Sequence, residues 1–181
     1  MTLVNTPRHD ALHLWLYDER NRFKMLEKVA SKKKFELDKD SYTSSLEIEK
    51  PIFSPQTQTR RFIIDSIIDI SKHCPTNGGY RLVSAKSFSG KEIRVASGSV
   101  HRRVIADLKP TLNSISSAIG QLKSYQHHLQ YRRWDSNIQK ERQSLPDMVL
   151  LTLDYNWTKY SDMLLSQGII IYHVNPKEIK C

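Results

Sequence analysis

Cysteine is nearly absent from this chain, with Cys74 and Cys181 the only two in 181 residues. Two thiols cannot build a disulfide scaffold or a four-cysteine zinc site, so the expectation is an intracellular, cytoplasmic protein held together by its core. Long apolar runs are also missing. No stretch approaches the ~18 residues that cross a bilayer, and the start from Met1 to His9 lacks the apolar centre of a signal peptide, so no membrane role is expected. Walker, dinucleotide-binding and G-x-S-x-G patterns do not occur, which removes the primary signals of nucleotide triphosphatases, redox enzymes and elbow-type hydrolases. The histidines at 9, 13, 73, 101, 127, 128 and 173 have no nearby cysteine except Cys74, and a zinc site is not expected. Acidic residues are in deficit. Lysine and arginine number 28 against 19 aspartates and glutamates, a net charge of +9 and a pI near 9.6, which favours a polyanionic partner.

What remains reads as one domain over 1–181, since the length is close to the ~150 residues of a typical domain. Thr6-Pro7 opens a first helix whose stripe of Leu12, Trp15, Leu16, Phe23 and Leu26 carries it to Ala30. A first strand runs through Leu46, Ile48 and Ile52-Phe53. A stronger one spans Arg61 to Ile70, nearly continuous in β-branched residues and interrupted by Asp65 and Asp69, as in a strand covered on both faces. Pro75 and Asn77-Gly78-Gly79 mark a turn. Short strands around Arg81-Leu82-Val83 and Ile93-Arg94-Val95 form a hairpin ahead of the strand Val104 to Lys109. Asn113 or Ser114 caps a helix through Ile115, Ala118, Ile119, Leu122 and Leu129, and a basic helical or loop insertion fills about 126–146. Strands at Met148 to Leu153 and Ile169 to Val174 enclose a helix at Lys159 to Gln167 that stops at Gly168. The alternation calls for an α/β fold, a mixed sheet flanked by helices.

Within this frame, Asp107-Leu108-Lys109 ends one central strand, so the carboxylate and the ammonium point to the same face. A carboxylate there can hold a divalent cation and the ammonium can orient water or offset charge on phosphate. Gln121 and Tyr125 share one face of the following helix at i, i+4. Asp65 interrupts the neighbouring strand and needs a cation or other partner if buried. Asp69 has the same parity but sits nearer the strand end.

In this order, Asp65, Asp107-x-Lys109 and Gln121-x-x-x-Tyr125, the chain resembles the PD-(D/E)XK nuclease superfamily, in particular its RecB-like members. The resemblance spans about Thr6 to Asn175. It implies a restriction-endonuclease-like sheet, Mg²⁺ (with Mn²⁺ as substitute) held by Asp65, Asp107 and the Leu108 carbonyl, and catalysis by Asp65, Asp107, Lys109 and Gln121. Asp107 stands where glutamate is commoner in that family. Many members carry another acid on the first helix, for which Glu19 is the candidate here and His9-Asp10 a second. Tyr125, Arg102, Arg103, Arg132 and Arg133, the last two beside Trp134, are the expected substrate contacts, since basic clusters supply affinity for phosphate. The expectation is a metal-dependent DNA endonuclease of restriction, homing or recombination type, acting as a homodimer or higher homo-oligomer. The alternative is a nuclease-fold DNA-binding or assembly protein without catalysis.

Overall fold

In the computed structural model, residues 7–53, 60–73, 81–96, 100–135 and 139–179 are described. The Thr6 cap, the turn at 74–79 and the Ser97-Gly98-Ser99 boundary lie outside them, as does the side chain of Trp134.

The expected first helix is two helices, α1 (Pro7–Tyr17) and α2 (Glu19–Lys33). Asp18 causes the break. Its backbone is extended and its carboxylate accepts a hydrogen bond from the Arg20 N–H at 2.9 Å, so it caps α2 in preference to continuing α1. The carbonyls that α1 leaves unpaired at its end are then met by a buried guanidinium. Arg22, 6% exposed, donates from Nη1 to the Leu16 and Tyr17 carbonyls at 2.9 and 3.0 Å, and from Nε to Ser44 Oγ at 3.1 Å. Replacing Arg22 with Ala should therefore cost about 2–4 kcal/mol, because several buried acceptors lose their donor. Urea denaturation measures this, and a loss below about 0.5 kcal/mol would show that the break needs no such clasp.

A mixed five-stranded sheet lies at the centre. Its strands are β1 (Tyr42–Phe53), β2 (Arg60–Lys72), β5 (Arg102–Lys109), β8 (Asp147–Thr152) and β9 (Ile169–His173), side by side in that order. The β1–β2 and β2–β5 pairs are antiparallel; β5–β8 and β8–β9 are parallel. Between β2 and β5 comes the expected antiparallel hairpin, β3 (Leu82–Lys86) with β4 (Glu92–Ala96). The insertion expected as helix or loop is a second antiparallel hairpin, β6 (Tyr131–Asp135) with β7 (Lys140–Ser144). Its strands carry arginine, lysine and glutamate where a half-buried strand would show apolar alternation, which hid them from a reading of hydrophobic period.

Helices cover both faces of the sheet. On one, Leu12, Trp15 and Leu16 of α1 and Met25, Leu26 and Val29 of α2 pack on Ile68, Ile70, Val104, Ala106 and Val149. On the other, α3 (Ile115–His128) and α4 (Ser161–Ser166) bring Ala118, Leu122, Tyr125 and Leu164 onto Ile67, Ile105, Met148 and Leu150. Ser114 caps α3, accepting from the Ser117 N–H at 3.3 Å. The last expected helix is a 3-10 turn, Tyr155–Tyr160, followed by the short α4, which Gly168 ends in a left-handed conformation at φ 80°. Among the described residues no helix is long and apolar enough to cross a membrane.

Candidate active site

The central sheet splits at one place. The β2–β5 ladder ends at Ser66 opposite Ala106, whereas β5 stays paired with β8 as far as Lys109 opposite Thr152. Asp65 and Asp107 are the next residues beyond that last pair, and they face each other across the opening. Asp65 replaces the lost ladder bond with its side chain, accepting the Leu108 N–H at 3.0 Å. Its other oxygen lies 3.1 Å from Nε2 of His9, in the first turns of α1. Asp107 is 2% exposed and hydrogen-bonds Asp65. Its Oδ2 has no hydrogen-bond partner among the described residues, and Lys109 Nζ lies 3.5 Å away.

The two carboxyls respond oppositely. Burial, then the hydrogen bond to Asp65 and the Asp65 charge, push Asp107 up to about 7. Burial also acts to raise Asp65, but the His9 hydrogen bond, followed by those from Asp107 and the Leu108 N–H, outweighs it and brings the group to about 2. The Asp65 hydrogen bond raises His9 against its own burial. Near neutral pH Asp107 is therefore poised between its protonated and ionised forms beside an ionised Asp65, which favours the protonated form of His9.

Lys109 is fixed from α3. Gln121 Oε1 accepts its Nζ–H at 3.1 Å, and Pro110, which lacks an N–H, follows Lys109 directly. The loop onward to α3 is pinned by the Asp154 carboxylate, which accepts the Leu112 N–H at 2.8 Å, and by Trp157 Nε1 donating to the Thr111 carbonyl at 3.2 Å. One turn beyond Gln121, Tyr125 is 4% exposed with its hydroxyl 3.4 Å from the Ile63 carbonyl. Burial, then the charges of Asp107 and Asp65, raise its pKa. Tyr125 therefore braces β2 beside the acids and offers a substrate little surface.

Asp65, Asp107, Leu108, Lys109, Gln121 and Tyr125 thus come together, and other expected site residues do not join them. Asp69 is held by Arg103, whose Nε and Nη2 meet its two oxygens at 2.7 and 3.1 Å. Arg103 also donates to the Leu129 carbonyl at 3.2 Å. Arg102 pairs with Asp147 at 3.1 Å and stacks on Phe35, its guanidinium carbon 4.3 Å from the ring centre. Both arginines are mostly enclosed by acids of the sheet, so their charge serves the fold before any phosphate. Arg132 is different: its side chain is 77% exposed on β6, with Glu141 4.0 Å away. Arg133 beside it is partly buried. Glu19 opens α2 with its carboxylate 3.8 Å from Arg22, past the end of α1, and about 12 Å of helix separates His9 from Tyr17 at that end.

The first-helix group at the acids is His9. The signal was present as His9-Asp10-x-x-His13, two histidines on one helical face, and the expectation of no imidazole metal site passed over it. One ligand atom each from His9, Asp10 and His13 lies within 4.8 Å of the others, and the two imidazoles meet edge to face with centres 4.8 Å apart. Glu49 of β1 lies between residues paired with Ser66 and Ile64, hence opposite Asp65, and takes a left-handed φ of 52°. That backbone is rare for a residue with a side chain and tends to persist near functional groups.

A scan of family models gives no match to this chain, and comparison with curated proteins and with solved structures gives none either. The assignment that stands is of class: a mixed α/β protein with a five-stranded mixed sheet and an acid–lysine cluster where that sheet opens.

Proposed function

We propose that this chain is a divalent-cation-dependent DNA endonuclease with a restriction-endonuclease-like fold. One observation carries the reading: Asp65, Asp107, Lys109 and His9 converge at the sheet opening, with a buried carboxylate oxygen of Asp107 left without a hydrogen bond. An enclosed pair of carboxyls suits a hard cation, whose charge offsets the repulsion and burial that otherwise oppose ionising both. Asp65, Asp107 and the Leu108 carbonyl would hold Mg²⁺, or Mn²⁺ in its place. Such an ion, when bound, polarises a phosphoryl oxygen and acidifies water.

The remaining work falls to the chain itself. Lys109 presents its ammonium at the opening, steadied by Gln121, where it can orient water or offset charge building on phosphate. Asp107, whose pKa sits near neutrality, can take up or release a proton at that same place. Arg132 and the net charge of +9 favour a polyanion in solution, and cleavage of both strands by one site per chain calls for a homodimer or higher homo-oligomer.

Incubation with supercoiled, linear, single-stranded and branched DNA, and with RNA, tests substrate and reaction together. The expected result is internal cutting of DNA in Mg²⁺ or Mn²⁺ and none in chelator. Salt-sensitive DNA binding without cleavage in any of these ions would replace the enzyme with a nuclease-fold binding protein.

A further inference from the structure

The head of α1 offers more ligands than the acids of the sheet opening need. His13 is 5% exposed, yet its Nε2 is buried without a hydrogen-bond partner among the described residues. Leaving a polar nitrogen dry and unmet is costly, and a neutral imidazole in that condition presents a lone pair. An edge-to-face contact with His9, ring centres 4.8 Å apart, orients the His13 ring at this spot. His9 stands one turn earlier, and Asp10, exposed at the surface, completes a group of ligand atoms within 4.8 Å.

We propose that His9, Asp10 and His13 form a binding site for a borderline divalent transition ion such as Zn²⁺ or Co²⁺. Two imidazoles and one carboxylate suit such ions, whereas Mg²⁺ prefers oxygen donors and keeps its water. The i, i+4 spacing supplies both rings from one rigid helix, and the exposed Asp10 leaves a path for entry from solvent. His9 also faces Asp65, so an ion here holds that imidazole neutral and in place beside the sheet acids. The site does not depend on the nuclease reading, since it requires neither DNA nor cleavage.

Titration of the metal-free chain with Co²⁺, followed by its visible ligand-field absorption and by calorimetry in the absence of DNA, tests this. One tight equivalent with a nitrogen-ligand spectrum is expected, displaced by Zn²⁺ and left in place by millimolar Mg²⁺. His13→Ala should weaken it at least tenfold. Asp10→Asn, at an exposed position that does not threaten the fold, should weaken it several-fold. Asp107→Asn should keep the Co²⁺ site while losing Mg²⁺-dependent cutting, which separates failure of this proposal from failure of the nuclease. Co²⁺ binding that is unchanged in both His13→Ala and Asp10→Asn, or that is lost in Asp107→Asn alone, would overturn it.

Discussion

Lys109→Ala should lower DNA cleavage by about 10²-fold or more while the protein still folds. The ammonium lies at the opening of the sheet, 3.5 Å from Asp107 and 3.1 Å from Gln121. Arg102 and Arg103, the nearest basic residues in sequence, are tied to Asp147 and Asp69. Neither can take over its charge. Lys109→Arg should rescue poorly, because a planar guanidinium cannot place a point charge on the same Gln121 oxygen. Single-turnover cleavage, with circular dichroism to confirm the fold, measures both variants. Activity within a few-fold of the parent in Lys109→Ala would remove Lys109 from the chemistry.

Asp107→Asn should abolish cutting and at the same time stabilise the cation-free protein. Burial first, then the Asp65 hydrogen bond and charge, raise the carboxyl from an ordinary 3.8 to about 7. A raised pKa favours the folded state fully only below about 4, and that contribution is lost as pH climbs through 7. Asparagine keeps the shape and can still hydrogen-bond Asp65, but never ionises. The variant should therefore gain about 1–3 kcal/mol over the parent at pH 8, with the advantage shrinking at pH 5. Urea denaturation in chelator at the two pH values gives the comparison. Added Mg²⁺ should then stabilise the parent and leave the variant unmoved. A variant no more stable than the parent at pH 8 would mean that Asp107 is not under electrostatic strain.

Much of this arrangement was legible in the chain, for definite reasons. The segments around Asp65 and Asp107 are runs of Ile, Val and Leu long enough for strands covered on both faces, and the two-residue period puts Asp107 and Lys109 on one side. The spacing of Gln121 and Tyr125 on α3 was equally plain. What stayed hidden depends on contacts between distant segments. The break at Asp18 is secured by Arg22, which clasps the end of the preceding helix and reaches Ser44 on β1. Arg103 reads as a phosphate contact until Asp69 appears across the β2–β5 ladder. His9 reads as a helix-start residue until the fold sets it 3.1 Å from an acid 56 positions away. The choice between Asp65 and Asp69 likewise rests on where the ladder ends, a property of two strands together.

The most direct measurement is relaxation of supercoiled plasmid by the purified chain in Mg²⁺, repeated in EDTA and after Mg²⁺ is restored, with Asp65→Asn in parallel. The account predicts nicking or linearisation that stops in EDTA, returns with the ion and is absent in the variant. Cutting that persists in EDTA, or that Asp65→Asn performs as well as the parent, would contradict a cation-dependent nuclease site at the opening between β2 and β5.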